Sequence, residues 1–228
     1  MFKEFFLLEI KSAFKRPMVY IFFFAMTLFA CLAVMFDNFQ IGGAIGNILR
    51  NSPFTITQFV ATFSFVGILF AVAFFNNAAI RDYNNQFNEI LFTTPIHKAS
   101  FFFGRFLGAL AVVTFTISGI FLGVIIGTIL GPITGTIEPE RVGPLYFETF
   151  FNNYFLFILP NMFFAGALIF SLAIKYRSTV VSFVGALGLI IAYGVSGTLL
   201  SDVDNETIAA LCDSFGIRAW SVESRYFT

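Results

Sequence analysis

Charge is scarce in this chain. Of 228 residues, 13 are Lys or Arg and 13 are Asp or Glu, together 11%, against ~25% in soluble globular domains. That shortage excludes a disordered chain, a coiled coil and a nucleic-acid binder, each of which depends on charge. Histidine is reduced to His97 and cysteine to Cys31 and Cys212, so neither a disulfide framework nor a zinc cluster has the residues it needs. Both cysteines read as unpaired, and His97, beside Lys98, reads as a surface residue. A G-x-x-x-x-G-K-[ST] phosphate loop and an H-E-x-x-H zinc pair are both missing. The expectation is a chain without a catalytic residue, cofactor or metal of its own, and so not an enzyme.

What fills the space is apolar. Hydrophobic residues make up 58% of the chain and 36 residues are Phe, more than one compact soluble core of this length can bury. A hydrocarbon core of ~30 Å takes about 20 mostly apolar residues in a helix. Five stretches qualify: Met18–Phe36, Ile56–Phe75, Phe106–Leu130, Asn153–Ile174 and Thr179–Leu200, all free of Asp, Glu, Lys, Arg and His. A dozen Leu, Ile, Phe and Val per span favours insertion by about 4–7 kcal/mol. The predicted fold is therefore all-α and polytopic, with a transmembrane domain over residues 1–200. Pro160 falls inside the fourth span and predicts a kink or an interrupted first turn.

Orientation follows from Lys and Arg, which collect on the cytoplasmic side. Nine of the thirteen (Lys3, Lys11, Lys15, Arg16, Arg81, Lys98, Arg105, Lys175 and Arg177) fall in segments that alternate to one side. This places the N-terminus inside and, after five crossings, residues 201–228 outside as an extracytoplasmic tail. The apolar run after Arg16 is too long for a signal peptide and reads as a retained anchor. Ahead of it, Phe2, Phe6, Ile10 and Phe14 recur every four residues, the spacing of a helix lying in the headgroup plane. A cytoplasmic extension of the first span is the other reading.

Between the second and third spans, Ile80, Tyr83, Phe87, Ile90 and Leu91 share one helical face while Asp82, Asn84, Asn85 and Asn88 are polar. Thr93-Thr94-Pro95 ends that pattern, and Ser100 can cap the helix that follows. A short amphipathic helix over about 78–92 is expected, either as a docking element or simply as a solvated reversal of the chain.

These residues carry a resemblance. Arg81-Asp82, then Phe87-x-Glu89-Ile90-Leu91-Phe92-Thr93-Thr94-Pro95-Ile96, then Gly104-Arg105-Phe106-Leu107-Gly108 resemble the cytoplasmic loop of ABC-2 type transporter permeases. The resemblance implies that residues 81–97 form a coupling helix docking on a separate ATP-hydrolysing subunit through Arg81, Asp82, Tyr83, Phe87, Glu89, Ile90 and His97. It also implies an N-terminal interfacial helix, a bacterial inner-membrane location and pairing of two permease halves as a homo- or heterodimer. That family has six spans with both ends inside, so a chain of five departs from it. The tail residues Asp213-Ser214-Phe215-Gly216-Ile217-Arg218-Ala219 and Ser224-Arg225-Tyr226-Phe227-Thr228 resemble a stretch in larger proteins that fuse such a permease to an M1-family aminopeptidase, which implies an N-terminal piece of one.

Elsewhere, Gly119, Gly123 and Gly127, continued back through Gly104 and Gly108, form a strip that brings helix backbones together, either as a dimer seam or as packing within one chain. Asn152, Asn153 and Asn161 are candidates for lining a polar cavity or for capping. Three functions follow. The first is the membrane half of an ATP-driven exporter. The second is a membrane anchor for an extracytoplasmic peptidase or motility complex. The third is a secondary transporter or channel, which ordinarily requires ionisable groups at membrane depth that these spans lack.

Overall fold

A computed structural model describes residues 1–36, 49–86, 93, 97–201, 213, 215–217 and 219–220. Among them every regular element is helical. In chain order these are α1 (Phe2–Phe14), α2 (Pro17–Met35), α3 (Pro53–Asn84), α4 (Lys98–Ile117), α5 (Gly119–Thr134), α6 (Phe147–Asn153), α7 (Leu159–Tyr176) and α8 (Thr179–Ser201). A 3₁₀ turn occupies Pro139–Arg141, and a π-helical turn, Tyr154–Ile158, joins α6 to α7.

Four stretches are long and apolar enough to cross a bilayer: Pro17–Met35, Pro53–Asn84, Lys98–Thr134 and Phe147–Tyr176. The chain is a multi-pass helical membrane protein. The fifth expected span, 179–200, lies on α8, whose described apolar stretch, Thr179–Val195, is shorter than the other four.

Local chemistry sets the helix starts. Pro17 and Pro53 open α2 and α3 at positions where a missing N–H costs nothing, and Ser52 Oγ accepts the Thr55 N–H at 3.2 Å as an N-cap. At the far end of α5, Gly135 takes φ +72 and the Thr136 N–H returns to the Gly131 carbonyl at 3.0 Å, a left-handed stop that glycine adopts without strain.

Two expectations change. The second span does not end at Phe75: α3 runs unbroken to Asn84, about 48 Å at 1.5 Å per residue, so residues 78–84 of the expected separate helix are its last turns. Buried polar residues do not stop it because they find partners on other helices. Asn76 donates to Thr179 Oγ1 at 3.1 Å and accepts from Ser182 Oγ at 2.9 Å. The third span is broken at Ser118, where hydroxyls of Thr114, Thr116 and Ser118 return to the carbonyls of Leu110, Val112 and Phe115, bonds that bend helices. The expected N-terminal helix forms as α1, on which Ile10 and Phe14 pack against the core, Phe2 is 43% exposed and the buried positions are Glu9 and Ala13.

Pro160 lies at the start of α7, directly after the π turn. Its ring cannot accept an α-helical carbonyl behind it, and a widened turn removes the clash. The tail is not wholly apart from the bundle: Phe215 is 2% exposed, edge-on to Phe65, Phe164 and Tyr193.

Candidate functional site at the end of α3

Successive helical residues point about 100° apart, so three in a row face three neighbours. Arg81, Asp82 and Tyr83 do this. Arg81 grips α1, with Nη2 on Glu9 Oε2 at 3.0 Å, Nη1 on Glu9 Oε1 at 3.3 Å and Nη1 on Ser12 Oγ at 2.8 Å. Asp82 meets α4, where Arg105 Nη2 lies 2.6 Å from its Oδ2. That approach is an ion pair rather than an aligned hydrogen bond, and the second Arg105 nitrogen, Nη1, donates to the Ala78 carbonyl at 2.9 Å. Tyr83 lies under the Arg177 guanidinium, 4.3 Å from ring centroid to Cζ, at the left-handed residue that ends α7.

Both ion pairs are sheltered, with side-chain exposures of 14% and 4% for Arg81 and Glu9, and 6% and 11% for Arg105 and Asp82. A carboxylate or guanidinium in such a place is tolerable only with its counter-charge, since desolvation otherwise dominates. The end of α3 is thus a hub that ties α1, α4 and the end of α7 together. Glu9, Ser12 and Arg177 escaped the sequence reading as members of this site. The one available signal was Glu9 itself, an acid inside the apolar run Phe5-Phe6-Leu7-Leu8-Glu9-Ile10.

Of the seven residues expected to face a partner, Arg81, Asp82 and Tyr83 are therefore engaged within the chain, and His97 is exposed, preceding α4 as its N-cap without a side-chain cap bond. Phe87, Glu89 and Ile90 lie outside the described residues.

The glycine strip is filled by this same chain. A Cβ at Gly104 would meet Phe5 Cβ at 2.8 Å, at Gly108 Glu9 Cβ at 2.7 Å, and at Gly127 Val34 Cβ at 2.9 Å. At Gly119 it would meet the Phe23 carbonyl, and at Gly123 the Thr27 carbonyl. Thr27 Oγ1 also donates to the Gly119 carbonyl at 3.1 Å. Contact numbers rise together, so α1–α2 runs parallel to α4–α5 at an offset that stays near 96 residues. The seam seats α1 and α2 of the same chain against all five glycines.

Two of the three asparagines are engaged inside the bundle. Asn153 donates to Thr57 Oγ1 at 3.0 Å and to the Thr149 carbonyl at 2.8 Å. Asn161 donates to Ser64 Oγ at 2.9 Å and to the Phe215 carbonyl at 3.2 Å. Both are buried and satisfied, while Asn152 is exposed. At the opposite end of α3 from the hub, Asn51 and Gly143 exchange two hydrogen bonds, 2.6 and 2.8 Å. Burial, followed by the charge of Arg141, holds the neighbouring Arg50 guanidinium below the ordinary arginine value.

A cleft of about 410 Å³ opens between α4 and α7. Among the described residues no group of three or more His, Cys, Asp or Glu is arranged to hold a metal.

Fold and site together define a polytopic helical membrane protein with a charged hub at one end. Comparison with models of protein families, with curated proteins and with solved structures returns no match to this chain.

Proposed function

We propose that this chain is the membrane-spanning half of a transporter driven by ATP hydrolysis on a separate subunit, as its resemblance to ABC-2 type permeases implies. One observation carries the reading. The segment between Gln86 and His97, where the resemblance is most specific, is flanked by helices braced at its own base: Arg81–Glu9 locks α3 to α1, and Asp82–Arg105 locks α3 to α4. A displacement delivered there moves three helices together. Between Met18 and Met35, Phe54 and Phe75, Phe106 and Thr134, and Asn153 and Ile174 the four spans carry no Asp, Glu, Lys, Arg or His, the groups an ion-coupled relay ordinarily uses, and the buried charges of the hub are paired with one another at one end. Driving force then enters by contact with a partner that hydrolyses ATP.

In this reading α8 is the fifth crossing, the N-terminus is cytoplasmic, the tail is outside and the membrane is a bacterial inner membrane. A second permease half pairs through a face other than the glycine strip, which α1 and α2 occupy. The test is gentle solubilisation of the tagged full chain from its native membrane, followed by assay of nucleotide hydrolysis in the purified complex. Retained ATPase activity that falls when Phe87 or Glu89 is changed to Ala supports the reading. Labelling of a cysteine at position 88 only from the outer side of the membrane sinks it.

A further inference from the structure

The cleft between α4 and α7 is walled by Phe102, Phe103 and Phe106 on one helix and by Phe163, Ala167 and Phe170 on the other. Its 410 Å³ is on the order of three times the ~150 Å³ cavity that holds a benzene ring. Phe103 and Phe163 are 53% and 51% exposed, so the cleft opens sideways, where an apolar span meets lipid tails.

The two walls run antiparallel: Phe170 packs on Phe102 and Phe106, and Phe163 on Phe106 alone. One end of the cleft therefore lies toward the start of α4 and the finish of α7. Lys98 stands four residues before Phe102, and Lys175 four residues after Ser171, which also lines the cleft. Residues four apart share a helix face, so each wall continues into a lysine at the same end, and both lysines are exposed. An apolar slot ending between two cations matches a tail joined to an anionic head. A second copy of this chain would bring the same lysines into the contact and add like charge.

We propose that this cleft binds one acyl chain of an anionic glycerophospholipid, with the phosphate held by Lys98 and Lys175. The proposal rests on the chain being a membrane protein and not on coupling to ATP. Its failure would leave the ATPase assay above untouched.

The test is native mass spectrometry of the detergent-solubilised full chain titrated with phosphatidylglycerol or with phosphatidylcholine of the same tails. One phosphatidylglycerol should be retained in preference to phosphatidylcholine by about tenfold to thirtyfold, the effect of two lysines near a headgroup. The double change Lys98→Gln/Lys175→Gln should bring the two lipids to parity, while Lys11→Gln/Lys15→Gln, on α1 and just after it, should leave the preference intact. Ala167→Trp should fill the slot and remove the adduct whatever its head; Ser171→Leu, milder, should weaken it where the Trp variant does not fold. Equal retention of both lipids by the unaltered chain overturns the proposal. So does a preference that survives loss of Lys98 and Lys175, or a dimer cross-linked through Phe103→Cys that excludes lipid.

Discussion

Arg105 on α4 reaches Asp82 on α3 at 2.6 Å, with Arg105 also over the ring of Phe101 at 4.7 Å. Both charges come from the two ends of one connecting segment, so the pair closes that segment into a loop whose base is fixed. Removing one partner strands the other. Asp82→Leu is expected to destabilise the solubilised protein by about 3–5 kcal/mol, whereas Asp82→Leu with Arg105→Met should recover most of the loss, because an apolar pair of similar volume replaces a buried ion pair at little cost. Denaturant unfolding followed by tryptophan fluorescence measures both; a double variant no better than the single one would disprove the pairing.

Glu9 holds α1 through a two-pronged contact with Arg81. Glu9→Gln keeps the shape and removes the charge, and is expected to weaken the docking of α1 by about 1–3 kcal/mol. Hydrogen exchange should then quicken on α1 and leave α2 unchanged. Unaltered protection of α1 would show that the helix is held by its apolar contacts alone.

Glycines differ sharply in what surrounds them. A Cβ on Gly123 would collide with the Thr27 carbonyl, and backbone cannot swing aside, while nothing lies within 4 Å of Gly188. Gly123→Ala should cost about 1–3 kcal/mol through forced separation of α2 and α5. Gly188→Ala should be neutral or stabilising by up to about 1 kcal/mol, since alanine is the better helix former. Thermal midpoints in one detergent compare the two, and equal shifts would argue against the seam.

Asn161 is 4% exposed and gives both of its amide hydrogens to the protein. Asn161→Leu strips the Phe215 carbonyl of this donor and leaves Ser64 Oγ with its bond to the Ala61 carbonyl, at a cost of about 1–3 kcal/mol, and should loosen the tail, as trypsin cleavage after Arg218 would report. Asn152→Ala, at an exposed position, is expected within 0.5 kcal/mol of the parent, roughly the surface norm.

Long apolar runs were legible in the sequence because the membrane imposes one simple demand. The first span was expected at 18–36 and α2 covers Pro17–Met35. Partnerships were not legible. Arg81 and Asp82 read as polar positions of a short docking helix when their neighbours alone are considered, yet Glu9 stands 72 residues from Arg81, a pairing that local periodicity cannot register. On α1 the periodic stripe of Phe and Ile was legible, while the buried positions Glu9 and Ala13 depend on partners in α3 and α4 that the local sequence does not name. Glycine spacing showed correctly that helices meet, while the identity of the neighbour required three dimensions. Phe215 was hidden by the acidic composition around it.

The parallel alignment of α1–α2 with α4–α5 has a consequence for how the chain is made. The glycine seat of the first crossing is encoded about 96 residues downstream of it, which at ~5–20 residues per second of synthesis is a delay of roughly 5–20 s. During that interval α2 stands in lipid with neither α5 nor α4 yet emerged from the ribosome, held by a mean hydropathy of 2.4. Glu9 waits 72 residues for Arg81, roughly 4–14 s at the same rate, which leaves the first thirty-five residues open to capture by a membrane chaperone.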